Sequence, residues 1–137
     1  YGRLVLNEFR RFAEFDTRII TSESSSAKRA FVVAIANSSQ YGNNARIAPA
    51  ASVRDGVLNL SILKKIPAYR VDLIYKLFSG TIDRSVFCEV LPFREATIEL
   101  NSPMYYHVDG EACGKAERFT IELSPASLKV IAPQGKG

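Results

Sequence analysis

From Gly80 onward, apolar and polar side chains alternate with a period of two. Only an extended strand sends successive side chains to opposite faces, so this part of the chain is committed to β-structure. Residues 86–91 read as one strand. In 95–100, Ala96, Ile98 and Leu100 point inward; in 104–108, Tyr106 and Val108 do. Phe119, Ile121 and Leu123 then alternate with Thr120, Glu122 and Ser124, and 128–132 closes the fold before Pro133. Short strands with turn residues between them predict an antiparallel β-sandwich.

The earlier part adds two amphipathic helices. In 1–15, Val5, Phe9, Phe12 and Ala13 recur at helical spacing opposite Arg3, Arg10, Arg11 and Glu14. The second helix opens at Pro67, where the missing N–H costs nothing, and ends at Gly80. Its apolar stripe is Val71, Ile74, Tyr75 and Phe78. Residues 16–21 alternate, with Thr17 and Ile19 on one face. A serine-rich link, 23–28, leads to 30–36, a strand apolar on both faces, and the two strands read as a hairpin. Residues 57–64 form another strand, with Leu58, Leu60 and Ile62 on one face. Gly135-Lys136-Gly137 reads as a loose tail.

A chain of 137 residues, 47% hydrophobic and 23% charged, suits one globular domain spanning 1–137 and argues against a disordered chain. No apolar run is long enough to cross a bilayer as a helix. The net charge of +4 favours anionic surfaces without choosing among phosphate, nucleic acid and lipid headgroups. Cys88 and Cys113 lie off any metal-ligand spacing and read as free thiols of a cytoplasmic protein, with a single disulfide as the alternative. A single histidine, His107, is too little for a zinc site. Neither G-x-x-x-x-G-K nor G-x-G-x-x-G occurs, so the chain shows no nucleotide cradle of its own.

Two acidic turns are the candidates for chemistry. The long loop 37–59 carries Gly42, Asn43, Asn44, Pro49, Asp55 and Gly56, residues suited to irregular backbone. Loops of this length are functional or floppy. Asp55-Gly56 is either a capped turn or a hard-cation site, with a carboxylate from Asp55, a hydroxyl or water at Ser52 and a carbonyl from Val57. Asp109-Gly110-Glu111 is either a hairpin turn or a pair of carboxylates able to take a substrate proton. His107 is a strand residue facing solvent or a proton shuttle. Lys64, Lys65 and Arg70 form a solvated rim or a headgroup-binding patch.

The order Asn37, Tyr41-Gly42, Ile47-Ala48-Pro49-Ala50-Ala51, Asp55-Gly56-Val57-Leu58-Asn59 and, further on, Val108-Asp109-Gly110-Glu111 resembles the diacylglycerol kinase and sphingosine kinase family of lipid kinases. The likeness is to the C-terminal half of their catalytic unit. It covers 31–133 well and the first thirty residues loosely. It implies the second, β-sandwich domain of an enzyme related in fold to NAD kinase. The nucleotide-binding α/β domain with its Gly-Gly-Asp-Gly-Thr motif is then absent from this chain.

By that resemblance, ATP and Mg²⁺ phosphorylate a lipid hydroxyl in the cleft between domains. Asp109 and Glu111 match the acidic pair that includes the catalytic base. Asp55 and Val57 match a magnesium site in which relatives often carry aspartate where Ser52 stands. Asn43 and Asn44 replace glycines, and Asn59 replaces a second aspartate. The implied partners are the lipid, ATP through the other domain, a membrane surface contacted peripherally from the cytoplasm and possible second copies in a homodimer, with no nucleic acid. The Asp55 and Asp109-Glu111 corners are expected to share one rim, and the chain alone to be inactive. The alternatives are a non-enzymatic sandwich that binds lipid or an anionic ligand, and a relative that keeps the fold without the chemistry.

Overall fold

The structure is a computed structural model, and it describes residues 13–38, 48, 51–67, 69–125 and 127. Among these residues seven strands form two antiparallel sheets. The first has the order β2-β1-β6-β7, from Phe15–Thr21 (β1), Ser25–Ala30 (β2), Glu95–Val108 (β6) and Glu111–Glu122 (β7). The second is β3-β4-β5, from Val32–Ala36 (β3), Leu58–Leu63 (β4) and Cys88–Phe93 (β5). Between the sheets lies a core of Ile19, Ala30, Leu60, Ile62, Phe93, Ala96 and Ile98, drawn from five strands. The expected sandwich is therefore what the alternation builds.

The pair of helices expected over it is not seen as a pair. The stretch 1–12 lies outside the described residues, and Phe15 already belongs to β1. The second helix (α1) spans Val71–Ser79, four residues later than Pro67 suggests. Residues before it form a turn, in which the Arg70 N–H donates to the Pro67 carbonyl at 2.9 Å. Gly80 ends α1 in the left-handed conformation with φ 74°. Tyr75, placed on the apolar stripe by its spacing, is 75% exposed; Leu73 is the buried residue instead. Leu73 packs with Leu63, Ile82 and Cys88 into a second, smaller core. The expected strand 128–132 and the tail also lie outside the described residues.

Other departures have local causes. The hairpin partner of β1 is not 30–36 but β2, whose Ser, Lys and Arg suit the sheet edge it occupies. Phe31 alone then carries the chain into the other sheet, donating its N–H to the Leu63 carbonyl at 2.7 Å. Across the gap, Lys28 of β2 pairs with Glu89 of β5 at 2.9 Å. β3 is not buried on both faces, because Ile35 is 40% exposed. β5 begins two residues later than expected. Val86 and Phe87 are used in the turn after the short 3₁₀ segment Ile82–Arg84, and β5 runs on through Pro92. Pro92 is tolerated because β5 is an edge strand.

The two strands expected at 95–100 and 104–108 are one, β6. Pro103 lies past Leu100, the last β6 residue paired to β1, so no ladder bond is lost on that side. Beyond Leu100, β6 pairs only with β7, with register shifts at Glu99/Met104 and Tyr106/His107. Side chains there have no facing sheet. Val108, expected inward, is accordingly 56% exposed, and Tyr106 keeps its partial burial through an edge-on contact with Phe119.

The cysteines are not joined: Cys88 is buried and Cys113 exposed. Burial, reinforced by the carboxylates of Asp83 and Glu89, pushes the Cys88 thiol from 9.0 up to about 11. A thiol that resists ionisation in the folded chain stabilises it fully below pH 9, and that contribution is lost as pH rises through about 11. Unfolding free energy measured against pH should fall across this window by about 2–3 kcal/mol. A Cys88→Ala variant should lack the slope; the same slope in that variant would rule the thiol out as its source.

Candidate functional site

The Asp55 corner is a self-contained turn. The Asp55 N–H approaches the Ser52 carbonyl at 3.5 Å, the Ser52 hydroxyl accepts from the Arg54 N–H at 3.3 Å, and Asp55 Oδ1 accepts from the Val57 N–H at 3.1 Å. Gly56 follows with φ 69°, which a side chain would resist. These bonds are those of the capped turn. Ser52 and Asp55 are exposed, and Val57 is half-buried where β4 begins. The rest of the loop motif, 39–47 and 49–50, lies outside the described residues; Ala48 is buried, with a carbonyl that accepts from the Ala51 N–H.

This turn sits against the corner that joins β5 to β6. A Cβ on Gly56 would lie 3.9 Å from the Arg94 guanidinium. Val57, residues 92–95 and Thr21, Ser22 and Glu23 line a groove of about 310 Å³. That volume is at the small end for a ligand pocket. Sequence reasoning missed Arg94, Glu95 and Glu23 here, since nothing local marks residues that only the fold brings together.

Magnesium prefers six oxygens and usually takes one or two carboxylates. The Asp55 turn offers one, with Oδ1 already accepting a backbone N–H, and the Arg94 guanidinium lies beside the adjoining Gly56. No group of three His, Cys, Asp or Glu able to hold a metal occurs among the described residues. A magnesium ion held by Asp55, Ser52 and the Val57 carbonyl would complete its shell with waters or with groups outside the described residues.

Asp109-Gly110 is a two-residue hairpin loop between β6 and β7, closed by the pairing of Val108 with Glu111. Asp109 has φ 50° and Gly110 φ 88°. Two positive values match the sheet's right-handed twist, so the hairpin reading holds at the backbone. It also leaves Asp109 and Glu111 exposed at the tip, where their carboxylates are open to a partner surface. Nearby, the Cys113 thiol donates to the Glu111 carbonyl at 3.3 Å, and Lys115 lies over the Tyr105 ring at 4.6 Å. His107 is exposed two residues before the turn.

The two acidic corners stand at opposite ends of β6. Arg94, beside Gly56, immediately precedes its first residue, and Asp109 follows its last. A strand of this length spans about 40 Å if straight. No hydrogen bond or ion pair links the corners, so the expected common rim is not formed among the described residues.

A family model for the YegS C-terminal NAD kinase beta sandwich-like domain matches residues 1–132. A protein of Pectobacterium atrosepticum named "Probable lipid kinase YegS-like" is 30% identical over 104 residues, which are 74% of this chain and 33% of that protein. One of the same name from Serratia proteamaculans is 31% identical over 107 residues, 76% of this chain and 33% of that protein. The crystal structure of a diacylglycerol kinase from Bacillus anthracis superposes with a TM-score of 0.61 at 20% identity, over 91% of this chain and 47% of the other. The chain thus spans about a third of the curated relatives it matches. Both acidic turns and the two-sheet frame fall within the matched region, and the chain belongs to the YegS C-terminal NAD kinase beta sandwich-like domain family.

Proposed function

We propose that this chain is the C-terminal domain of a lipid kinase that transfers a phosphoryl group from ATP to the hydroxyl of a diacylglycerol- or sphingosine-like lipid. Membership in a family whose matched relatives are named lipid kinases carries the reading. The two carboxylates at the β6–β7 tip support it with a chemical role. A carboxylate within hydrogen-bond reach of a lipid hydroxyl takes its proton as the oxygen attacks phosphorus. Asp109 and Glu111 are the residues for this, one as base and the other as its neighbour that orients the hydroxyl. ATP is held mainly by the other domain of the kinase, and Mg²⁺ is the cofactor, with Asp55, Ser52 and the Val57 carbonyl as this chain's ligands. On this reading the isolated chain does not phosphorylate lipid. The separation of the Asp55 turn from the tip favours one second reading, a module that binds lipid or an anionic ligand without reaction.

The test is phosphate transfer from labelled ATP, with Mg²⁺ present, to diacylglycerol or sphingosine in detergent micelles. The gene product containing this chain should yield lipid phosphate, and the 137-residue chain alone should not. Binding of either lipid without phosphate transfer by the whole product would replace the kinase reading with the second.

A further inference from the structure

Arg94 stands at the corner between β5 and β6, fixed there by its backbone, whose carbonyl accepts from the Leu123 N–H at 2.8 Å. The residue is exposed, and its guanidinium comes within 3.9 Å of where a side chain on Gly56 would begin. Lys28, Arg29, Arg70 and Arg118 each pair with a carboxylate. Among the described residues the Arg94 guanidinium has no hydrogen bond and no ion pair, although Glu23 and Glu95 line the same groove.

Gly56 joins Asp55 to Val57, two of the three residues read above as magnesium ligands. Asp55 Oδ1 accepts from the Val57 N–H at 3.1 Å, and Oδ2 has no partner among the described residues. An unpaired guanidinium on a long exposed side chain therefore stands next to a half-engaged carboxylate. Such a cation acts on a metal in two ways. It competes for the carboxylate, and it repels a divalent ion that the carboxylate holds.

We propose that Arg94 is the resident counter-charge of the Asp55 turn and sets how tightly this corner holds a divalent cation. The proposal deepens the magnesium reading and rests on it. Without metal, the guanidinium balances the Asp55 carboxylate. An ion entering the turn displaces it toward the groove and the carboxylates of Glu23 and Glu95. The corner is then a weak site for magnesium, since it sets one cation against one carboxylate where tight sites gather several carboxylates.

The probe is Mn²⁺, whose free form is read directly by electron paramagnetic resonance, with Mg²⁺ as competitor. It is titrated into the gene product containing this chain, without nucleotide. Arg94→Ala should tighten binding by about three- to tenfold. Arg94→Glu should tighten it further by offering a second carboxylate. Arg94→Lys keeps the charge and should stay near wild type. These differences should shrink in about 1 M salt. Lys115→Ala, on the hairpin at the other end of β6, removes the same charge and should leave the affinity unchanged. The Arg94 changes spare the fold, because the residue is exposed and its bond to Leu123 is made by the backbone.

Equal affinity across the Arg94 series, with binding lowered by Asp55→Asn, would overturn the proposal and leave the magnesium reading standing. Weaker binding in Arg94→Ala would overturn it as well. Tightening by Lys115→Ala as large as that by Arg94→Ala would reduce the effect to net charge and sink it. Mn²⁺ binding that Asp55→Asn leaves untouched would take the ion out of the turn, and both ideas would fall.

Discussion

Replacing Asp109 with Asn and Glu111 with Gln, singly in the whole gene product, is expected to lower lipid phosphorylation by about 10²–10⁴-fold at the residue that acts as base. The smaller loss should fall on its neighbour. Neither change disturbs the turn. Asp109 holds a φ of 50°, and asparagine accepts that conformation at least as well as aspartate. Asn-Gly is among the best sequences for this hairpin loop. Glu111 is exposed, and glutamine keeps its length. Unfolding free energies should therefore match wild type within about 0.5 kcal/mol, so that lost activity reads as lost chemistry. The measurement is kcat on micellar lipid, with a thermal melt of each variant. Wild-type kcat in both variants would remove the tip from the mechanism and shift the proposal to the binding module.

The sandwich was legible because burial imposes period two wherever a second sheet faces the strand. Thr17 and Ile19 of β1, and Ala96 and Ile98 of β6, are buried as their alternation requires. Gly80 marked the end of α1, and Asp109-Gly110 marked a hairpin. The pattern failed where the facing sheet is missing. Val108 looked inward by spacing, yet its strand has run past β1. β2 was unreadable for the opposite reason: an edge strand tolerates polar residues, so SSAKRA resembles a linker. Pro92 and Pro103 lie outside the strands expected at 86–91, 95–100 and 104–108 yet belong to β5 and β6, because both sit where a ladder partner is absent on one side. The candidate site divides likewise. Its two acidic turns were visible as short motifs with their own local hydrogen bonds. That Arg94 adjoins Gly56, and that the turns lie at opposite ends of β6, depends on sheet pairing, which no short motif records.

Leu60→Ala is expected to destabilise the chain by about 2–5 kcal/mol, a large part of the roughly 5–15 kcal/mol that holds a domain folded. Leu60 is fully buried in the middle of β4 and belongs to the core between the sheets. Truncation removes its burial and leaves a cavity lined by side chains from both sheets, which cannot close without moving one sheet against the other. Ile35 tests whether position decides the cost. It stands directly opposite Leu60 in the β3–β4 ladder, and so on the same face, but β3 is an edge strand and Ile35 is 40% exposed. Its side chain has less apolar area to lose and water already reaches it, so Ile35→Ala should cost about 1 kcal/mol. Urea denaturation followed by circular dichroism measures both. At roughly 4 °C per kcal/mol, the melting temperature of Leu60→Ala should fall by about 8–20 °C. If the two substitutions cost the same, Leu60 does not face the second sheet, and the packing that carries both acidic turns would have to be redrawn.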